Sequence, residues 1–181
     1  MSKTVRILTL LLIVLAVSGA RAQGHEVLPW PAGKPVPALT ATDLNGRVWR
    51  LSELRGKAVL INFWASWCEP CRAEMPSLQD LAQQLGPAQL VVLAVNFKES
   101  AQTVRRFAQR SDIALPVLLD VDGAIARQWG AKVFPTTVLI GADVRVRAVV
   151  RGEVDWAGEE AASLVHALLA APAARVVAAR P

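Results

Sequence analysis

The chain has 181 residues, 53% of them hydrophobic and 19% charged, with a formal net charge of +5 and a sequence pI near 9.9. That length points to one domain with a real core, and the composition excludes a wholly disordered or collagen-like chain. Two cysteines cannot build a disulfide-dense scaffold, and the basic balance raises a nucleic-acid reading that depends on where the charge lies.

Lys3 and Arg6 precede an apolar run over residues 7–17, and Ala20-Arg21-Ala22 follows Ser18-Gly19. A positive start, a short apolar middle and small residues ahead of Gln23 are the layout of a secretory signal peptide over residues 1–22. The run is shorter than the roughly 20 residues of a spanning helix, which favours cleavage over retention as an uncleaved anchor. In either case the remainder is exported, to a periplasmic or other extracytoplasmic space. Loss of the segment removes Lys3, Arg6 and Arg21 and no acid, so twenty basic residues become seventeen against fifteen acidic, about +2. No basic block survives, and Arg105, Arg106 and Arg110 read as the solvated face of a helix; nucleic acid is therefore dropped as a partner.

Residues 23–37, with Gly24, Pro29, Pro31, Gly33, Pro35 and Pro37, read as an extended lead-in. Asn45-Gly46 between residues 38–42 and 48–51 signals a hairpin. Residues 57–64 form a nearly continuous apolar run, as a strand covered on both faces requires. After Cys68 the spacing changes: Met75, Leu78, Leu81, Ala82 and Leu85 recur at three and four, and Gly86-Pro87 ends the helix. A buried strand follows at 90–95. Ser100 caps a helix to Arg110 with Val104, Phe107 and Ala108 inward. Next come a strand at 115–119, a helix at 124–129 closed by Gly130, strands at 136–140 and 144–150, and a helix over 158–170. Helices alternating with buried strands call for a mainly parallel central sheet with right-handed crossovers, to which the last hairpin adds antiparallel strands. The domain spans 38–171, and 172–181 read as a loose tail.

Both cysteines lie in Trp67-Cys68-Glu69-Pro70-Cys71, after a predicted strand and at the start of a predicted helix. There the first thiol meets unpaired backbone N–H groups and the positive end of the helix dipole, which stabilise a thiolate able to attack a disulfide. The second thiol, about one turn on, is placed to resolve the mixed disulfide. Cys68 is thus the nucleophile and Cys71 the resolving thiol, and Pro70 stiffens the turn where a missing N–H costs nothing. A structural disulfide closing so small a loop gains little. A zinc site lacks ligands beyond His25 and His166, and haem attachment would need His where Arg72 stands. Dithiol–disulfide exchange remains, with no cofactor or metal expected.

With Pro135-Thr136 downstream, these residues resemble the thioredoxin superfamily, more closely its exported TlpA/ResA/DsbE-like branch, over about residues 35–170. The similarity is concentrated in residues 62–76, Asn-Phe-Trp-Ala-Ser-Trp-Cys-Glu-Pro-Cys-Arg-Ala-Glu-Met-Pro, and 133–140, Val-Phe-Pro-Thr-Thr-Val-Leu-Ile. The resemblance implies an α/β thioredoxin-like fold, a central mixed β-sheet flanked by helices, with an N-terminal β-hairpin and an inserted βα element within residues 90–121. It also implies a cis peptide at Phe134–Pro135, facing the redox pair and holding an extended stretch of the partner. Phe134 and Thr136 flank that groove, Trp67 shields the disulfide, and Gly152 lets a partner approach closely. Trp64 reads as core, and His166 as a packed or exposed histidine without chemistry.

Cytoplasmic thioredoxins carry a buried Asp six residues before the nucleophile, where this chain has Asn62. Asn cannot relay a proton, but Glu74, three residues after Cys71 on the same helix face, could; the exported branch has Glu there. Its alternative is a solvated surface carboxylate. Glu69, about 7 Å from the Cys68 sulfur, would oppose the thiolate by ~0.6 to ~2.4 kcal/mol, against ~0.3 to ~2 kcal/mol from the helix terminus. The rough cancellation points to a reductant rather than a strong oxidant.

The expected activity is a protein disulfide reductase outside the cytoplasm, monomeric, supplied with electrons by a membrane donor of the DsbD/CcdA type that the resemblance implies. Its clients would be disulfide-containing proteins such as apocytochrome c, whose C-x-x-C-H cysteines need reduction, or the metal-site thiols of copper-handling proteins. Two rival classes are a thiol-based copper or haem chaperone and a peroxiredoxin-like thiol peroxidase. The latter needs P-x-x-x-T-x-x-C, and Ile61 and Ala65 stand where Pro and Thr should be.

Overall fold

The computed structural model describes residues 24–170. The proposed signal segment and the tail at 172–181 lie outside the described residues. Eight strands and four α-helices follow in the order β1 (His25–Leu28), β2 (Thr40–Thr42), β3 (Val48–Arg50), β4 (Ala58–Trp64), α1 (Glu69–Leu85), β5 (Leu90–Phe97), α2 (Ala101–Arg110), β6 (Val117–Asp120), α3 (Ala124–Trp129), β7 (Thr136–Ile140), β8 (Val146–Gly152) and α4 (Glu159–Ala170). A single 3-10 turn, Leu51–Leu54, links β3 to β4.

The main sheet runs β1-β8-β7-β4-β5-β6. Strands β4, β5 and β6 are parallel, while β7, β8 and β1 add on antiparallel. This is the mixed, helix-flanked sheet of a thioredoxin-like fold. The Asn45-Gly46 hairpin forms as β2 paired with β3, its turn held by Asp43, which accepts from the N–H groups of Asn45 and Arg47.

Strand β4 sits at the centre, buried along its whole length. Its period of two sends Val59, Ile61 and Phe63 to one face, against Trp49, Leu51, Leu54 and Trp129. Ala58 and Leu60 point to the other face, where α1 and α4 bring Leu78, Leu81, Val165 and Leu168. Trp64 joins a third cluster with Met75, Val104 and both cysteines. Asn62 belongs by alternation to the α1 face, so the one polar residue of the strand faces the helix that carries the redox pair.

Residues 23–37 depart from expectation. The extended lead-in contains β1, which pairs with the outer edge of β8 in the register His25↔Gly152 to Leu28↔Val149. His25 adds a hydrogen bond with Glu160 of α4, Nε2 to Oε1 3.0 Å. The last hairpin is also shorter than expected: Val144 adopts a φ of +64°, which keeps it out of a strand, and β8 starts at Val146. Pro116 similarly delays β6 to Val117, since it has no N–H for the ladder.

Candidate active site

Cys68 and Cys71 form a disulfide, S–S 2.03 Å with Cα atoms 5.3 Å apart. Cys68 is the N-cap of α1 in extended conformation, and its sulfur accepts from the Cys71 N–H at 3.3 Å. The sulfur therefore occupies the place where a helix N-terminus presents unpaired donors. Pro70 lies in the first turn, where no hydrogen bond is lost. Cys68 is 6% exposed and Cys71 0%, so an incoming thiolate can reach only the first sulfur of the disulfide.

Outward, Trp67 is 64% exposed and its ring stands edge-on to Phe134 at 6.1 Å. The Phe134–Pro135 peptide is cis. Pro135 and Thr136 are buried, and the Thr136 hydroxyl donates to the Val133 carbonyl at 2.8 Å. Trp67, Phe134 and Cys68 thus adjoin one another, with Cys71 buried beneath. Glu69 is exposed at the first position of α1. Solvent screening puts its effect on the thiolate at the weak end of the expected range, so the cancellation argued from sequence cannot rest on it.

Gly152 lies beside this site. Its N–H donates to the Pro135 carbonyl at 2.9 Å, which places it beside the cis peptide. The close approach it permits is made by this chain: a Cβ there would stand 2.1 Å from the Gly24 carbonyl oxygen, and its φ is +98°. The chain entering β1 fills that side of the glycine. A cleft of about 680 Å³ remains alongside, lined by Gly24 to Glu26, Lys132, Val133, Arg151 and Gly152.

Inward lies the polar pocket. Glu74 is 2% exposed, which removes the solvated-surface alternative. Its Oε1 accepts from Asn62 Nδ2 at 2.7 Å and its Oε2 from the Val154 N–H at 3.1 Å. Asn62 Nδ2 also donates to Thr137 Oγ1 at 2.9 Å, and Asn62 Oδ1 is left without a partner. Burial pushes the Glu74 pKa up to about 7; the Val154 N–H, the Asn62 amide and the nearby Trp156 indole favour the anion but do not outweigh it. Glu74 can therefore exchange a proton near neutrality, one helical turn beyond Cys71.

Sequence reasoning missed one acidic group. Glu99, in the loop between β5 and α2, accepts from the Ser66 N–H at 2.7 Å, from the Ser66 hydroxyl, and from Asn96 Nδ2 at 2.8 Å. Those partners stand 33 and 3 residues away, and no local pattern announces the first of them.

Comparison with known proteins agrees with this geometry. The model of the AhpC/TSA family matches residues 32–149. The chain is 33% identical over 146 residues to the thiol-disulfide oxidoreductase ResA of Geobacillus thermodenitrificans, covering 79% of this chain and 84% of that protein. It is 35% identical over 120 residues to ResA of Bacillus subtilis, covering 66% and 67%. Among solved structures it is similar to a secreted Mycobacterium tuberculosis disulfide oxidoreductase homologous to E. coli DsbE, with TM-score 0.61, 27% identity and coverage of 72% and 96%. It is also similar to the exposed lipoprotein thioredoxin of Streptococcus pneumoniae, with TM-score 0.66, 26% identity and coverage of 73% and 100%.

Proposed function

We propose, for a chain that belongs to the AhpC/TSA family and within it to the ResA-like thiol-disulfide oxidoreductases, that the Cys68–Cys71 pair works as a reductant of protein disulfides outside the cytoplasm. The observation that carries this reading is the buried carboxyl of Glu74 behind Cys71. Its anion opposes a second negative charge on the thiols, which disfavours the reduced form relative to the disulfide. Strong oxidants are built the other way, with a stabilised reduced form.

The steps follow from the arrangement. The Cys68 thiolate attacks a client disulfide, forming a mixed disulfide and expelling one client thiolate. Glu74 takes the Cys71 proton, and the Cys71 thiolate attacks Cys68 Sγ. The Cys68–Cys71 disulfide forms and the second client thiolate leaves, so two electrons have passed to the client. Trp67, Phe134 and the cis-Pro135 loop receive the client's extended segment, and Thr136 holds that loop through Val133.

The export pattern of residues 1–22 supports an extracytoplasmic setting, as do a secreted and an exposed protein among the structural neighbours. Electrons would come from a membrane donor of the DsbD/CcdA type. Clients would be apocytochrome c or proteins with metal-site thiols. The peroxidase reading loses ground because Ile61 and Ala65 are fully buried apolar residues in the places that chemistry needs Pro and Thr.

Equilibration with glutathione or dithiothreitol buffers tests the direction: a midpoint at or below about −200 mV is expected, and one near −120 mV overturns it. Cys71→Ser in the native host should trap clients on Cys68 as mixed disulfides. Equal trapping by Cys68→Ser would reverse the two thiols. Stoichiometric copper(I) or haem binding without disulfide turnover would establish the chaperone instead.

A further inference from the structure

Cys68 reaches the helix N-terminus only if the turn before it is held. That turn, Ala65-Ser66-Trp67, is closed by the Cys68 N–H donating to the Ala65 carbonyl at 3.1 Å. Its middle residue is tied to Glu99 twice, through the Ser66 N–H to Oε2 at 2.7 Å and the Ser66 hydroxyl to Oε1. Asn96, buried at the end of β5, donates from Nδ2 to Glu99 Oε2 at 2.8 Å and fixes the carboxylate from the sheet side. Both carboxylate oxygens are engaged, and charged acceptors make the stronger hydrogen bonds.

The backbone is bent to present this group. Lys98, just before Glu99, has a φ of +55°, a left-handed conformation that a long side chain rarely adopts. Its N–H donates to the Asp120 carbonyl at 3.0 Å. Its side chain crosses Gly123, where a Cβ would come within 2.7 Å of Lys98 Cε. Neighbouring β6 and the start of α3 thus stabilise a turn whose product is the placement of Glu99.

We propose that Glu99 is a positioning residue for thiol–disulfide exchange: it pins Ser66 and so holds the Cys68 sulfur at the N-terminus of α1. This rests on Cys68 being the attacking thiol. The effect of a misplaced turn has a sign opposite to that of a removed charge. Loosening the turn takes Cys68 away from the helix donors and weakens its thiolate, whereas deleting a nearby negative charge would strengthen it. Glu99→Gln separates the two. Gln keeps the shape: its oxygen can take the Oε2 place and accept from the Ser66 N–H and from Asn96 Nδ2, while its amide in the Oε1 place donates to the Ser66 hydroxyl, which can also accept.

The test is the pH profile of iodoacetamide alkylation of the fully reduced protein, with the labelled cysteine located by mass spectrometry. Glu99→Ala should slow alkylation of Cys68 at pH 7 by about threefold to tenfold and move its profile to higher pH, the scale of a helix-terminus effect. Glu99→Gln should recover most of the rate. Faster alkylation in both variants would mean that Glu99 acts only as a charge, and a lower Tm with an unmoved profile would mean that it only supports the fold; either overturns the proposal. Ser66→Ala keeps the charge and carries the test if Glu99→Ala does not fold: a slowing of about twofold is expected, and an unchanged rate overturns it. Label on Cys71 in the unsubstituted protein would instead overturn the thiol assignment, independently of every variant.

Discussion

Glu74, three residues after Cys71, and Glu99, bound to Ser66 two residues before Cys68, have surroundings that differ in kind. Glu74 is enclosed by α1, β4 and the chain after β8, and accepts one hydrogen bond at each oxygen from Asn62 and Val154. Glu99 sits half-buried on a loop, and its oxygens accept three hydrogen bonds, two of them from Ser66. In the first case desolvation dominates, so protonation near neutral pH is easy and the group suits proton transfer. Glu99 is instead tied to a turn by those bonds, and its geometry suits holding. In the proposed roles, two residues of one type serve the same disulfide differently, according to the burial and the donors each one has.

Substitutions can break or sharpen that contrast. Glu74→Gln should cost about 10² to 10⁴ in the rate of client release at pH 7, the range for a lost general base, and erase the rise in rate across pH 7. Stopped-flow turnover between pH 5.5 and 8.5 checks it, and an unchanged profile would remove Glu74 from proton transfer.

The same variant probes stability. The Glu74 pKa is higher folded than unfolded, so folding takes up a proton between about pH 4.5 and 7. Its contribution is fully present below 4.5 and is lost as pH rises through 7. The loss is about 3 kcal/mol for a shift of this size. Urea melts at pH 5 and pH 8 should show wild type losing stability against Glu74→Gln by that order.

Asn62→Ala should cost about 1–3 kcal/mol, because Glu74 and Thr137 each lose a buried donor. It should also raise the pH at which the Glu74 effect is lost, read from the same melts. Gly152→Ala is a control outside the polar pocket. Its methyl would meet the Gly24 carbonyl, so it should destabilise by about 1–3 kcal/mol and speed amide exchange in β1 while leaving the profile of Glu74 in place. Trp67→Ala should move stability by less than about 0.5 kcal/mol, as an exposed side chain does, while weakening capture of clients by Cys71→Ser.

What the sequence shows and hides divides along the same line. Strand β4, helix α1 and helix α3 are legible because their signals are local: an unbroken apolar run, a three-and-four spacing ended by Gly86, and a short helix closed by Gly130, which caps it with φ +74°. Glu74 is legible because it lies one turn from Cys71 and the expected acid at position 62 is missing. Strand β1 is hidden because four residues among prolines and glycines become a strand only through β8, which comes near the other end of the domain. Glu99 is hidden because its meaning lies in Ser66, and because a lysine gives no hint of the left-handed turn at position 98. The neighbour of Gly152 is hidden for the same reason as β1: the Gly24 carbonyl that a side chain there would meet is remote in sequence.

Pairing β1 with β8 also governs the order in which the molecule can be completed. Synthesis proceeds from the N-terminus, so β1 must wait for β8 before its edge is satisfied. Until β8 arrives, His25 to Leu28 present unpaired backbone groups and Glu160 has not reached His25. The cysteines, three residues apart, need no such wait and can oxidise on a nascent chain. The disulfide can therefore close before the sheet does, and the last closure of the sheet is at the β1–β8 edge.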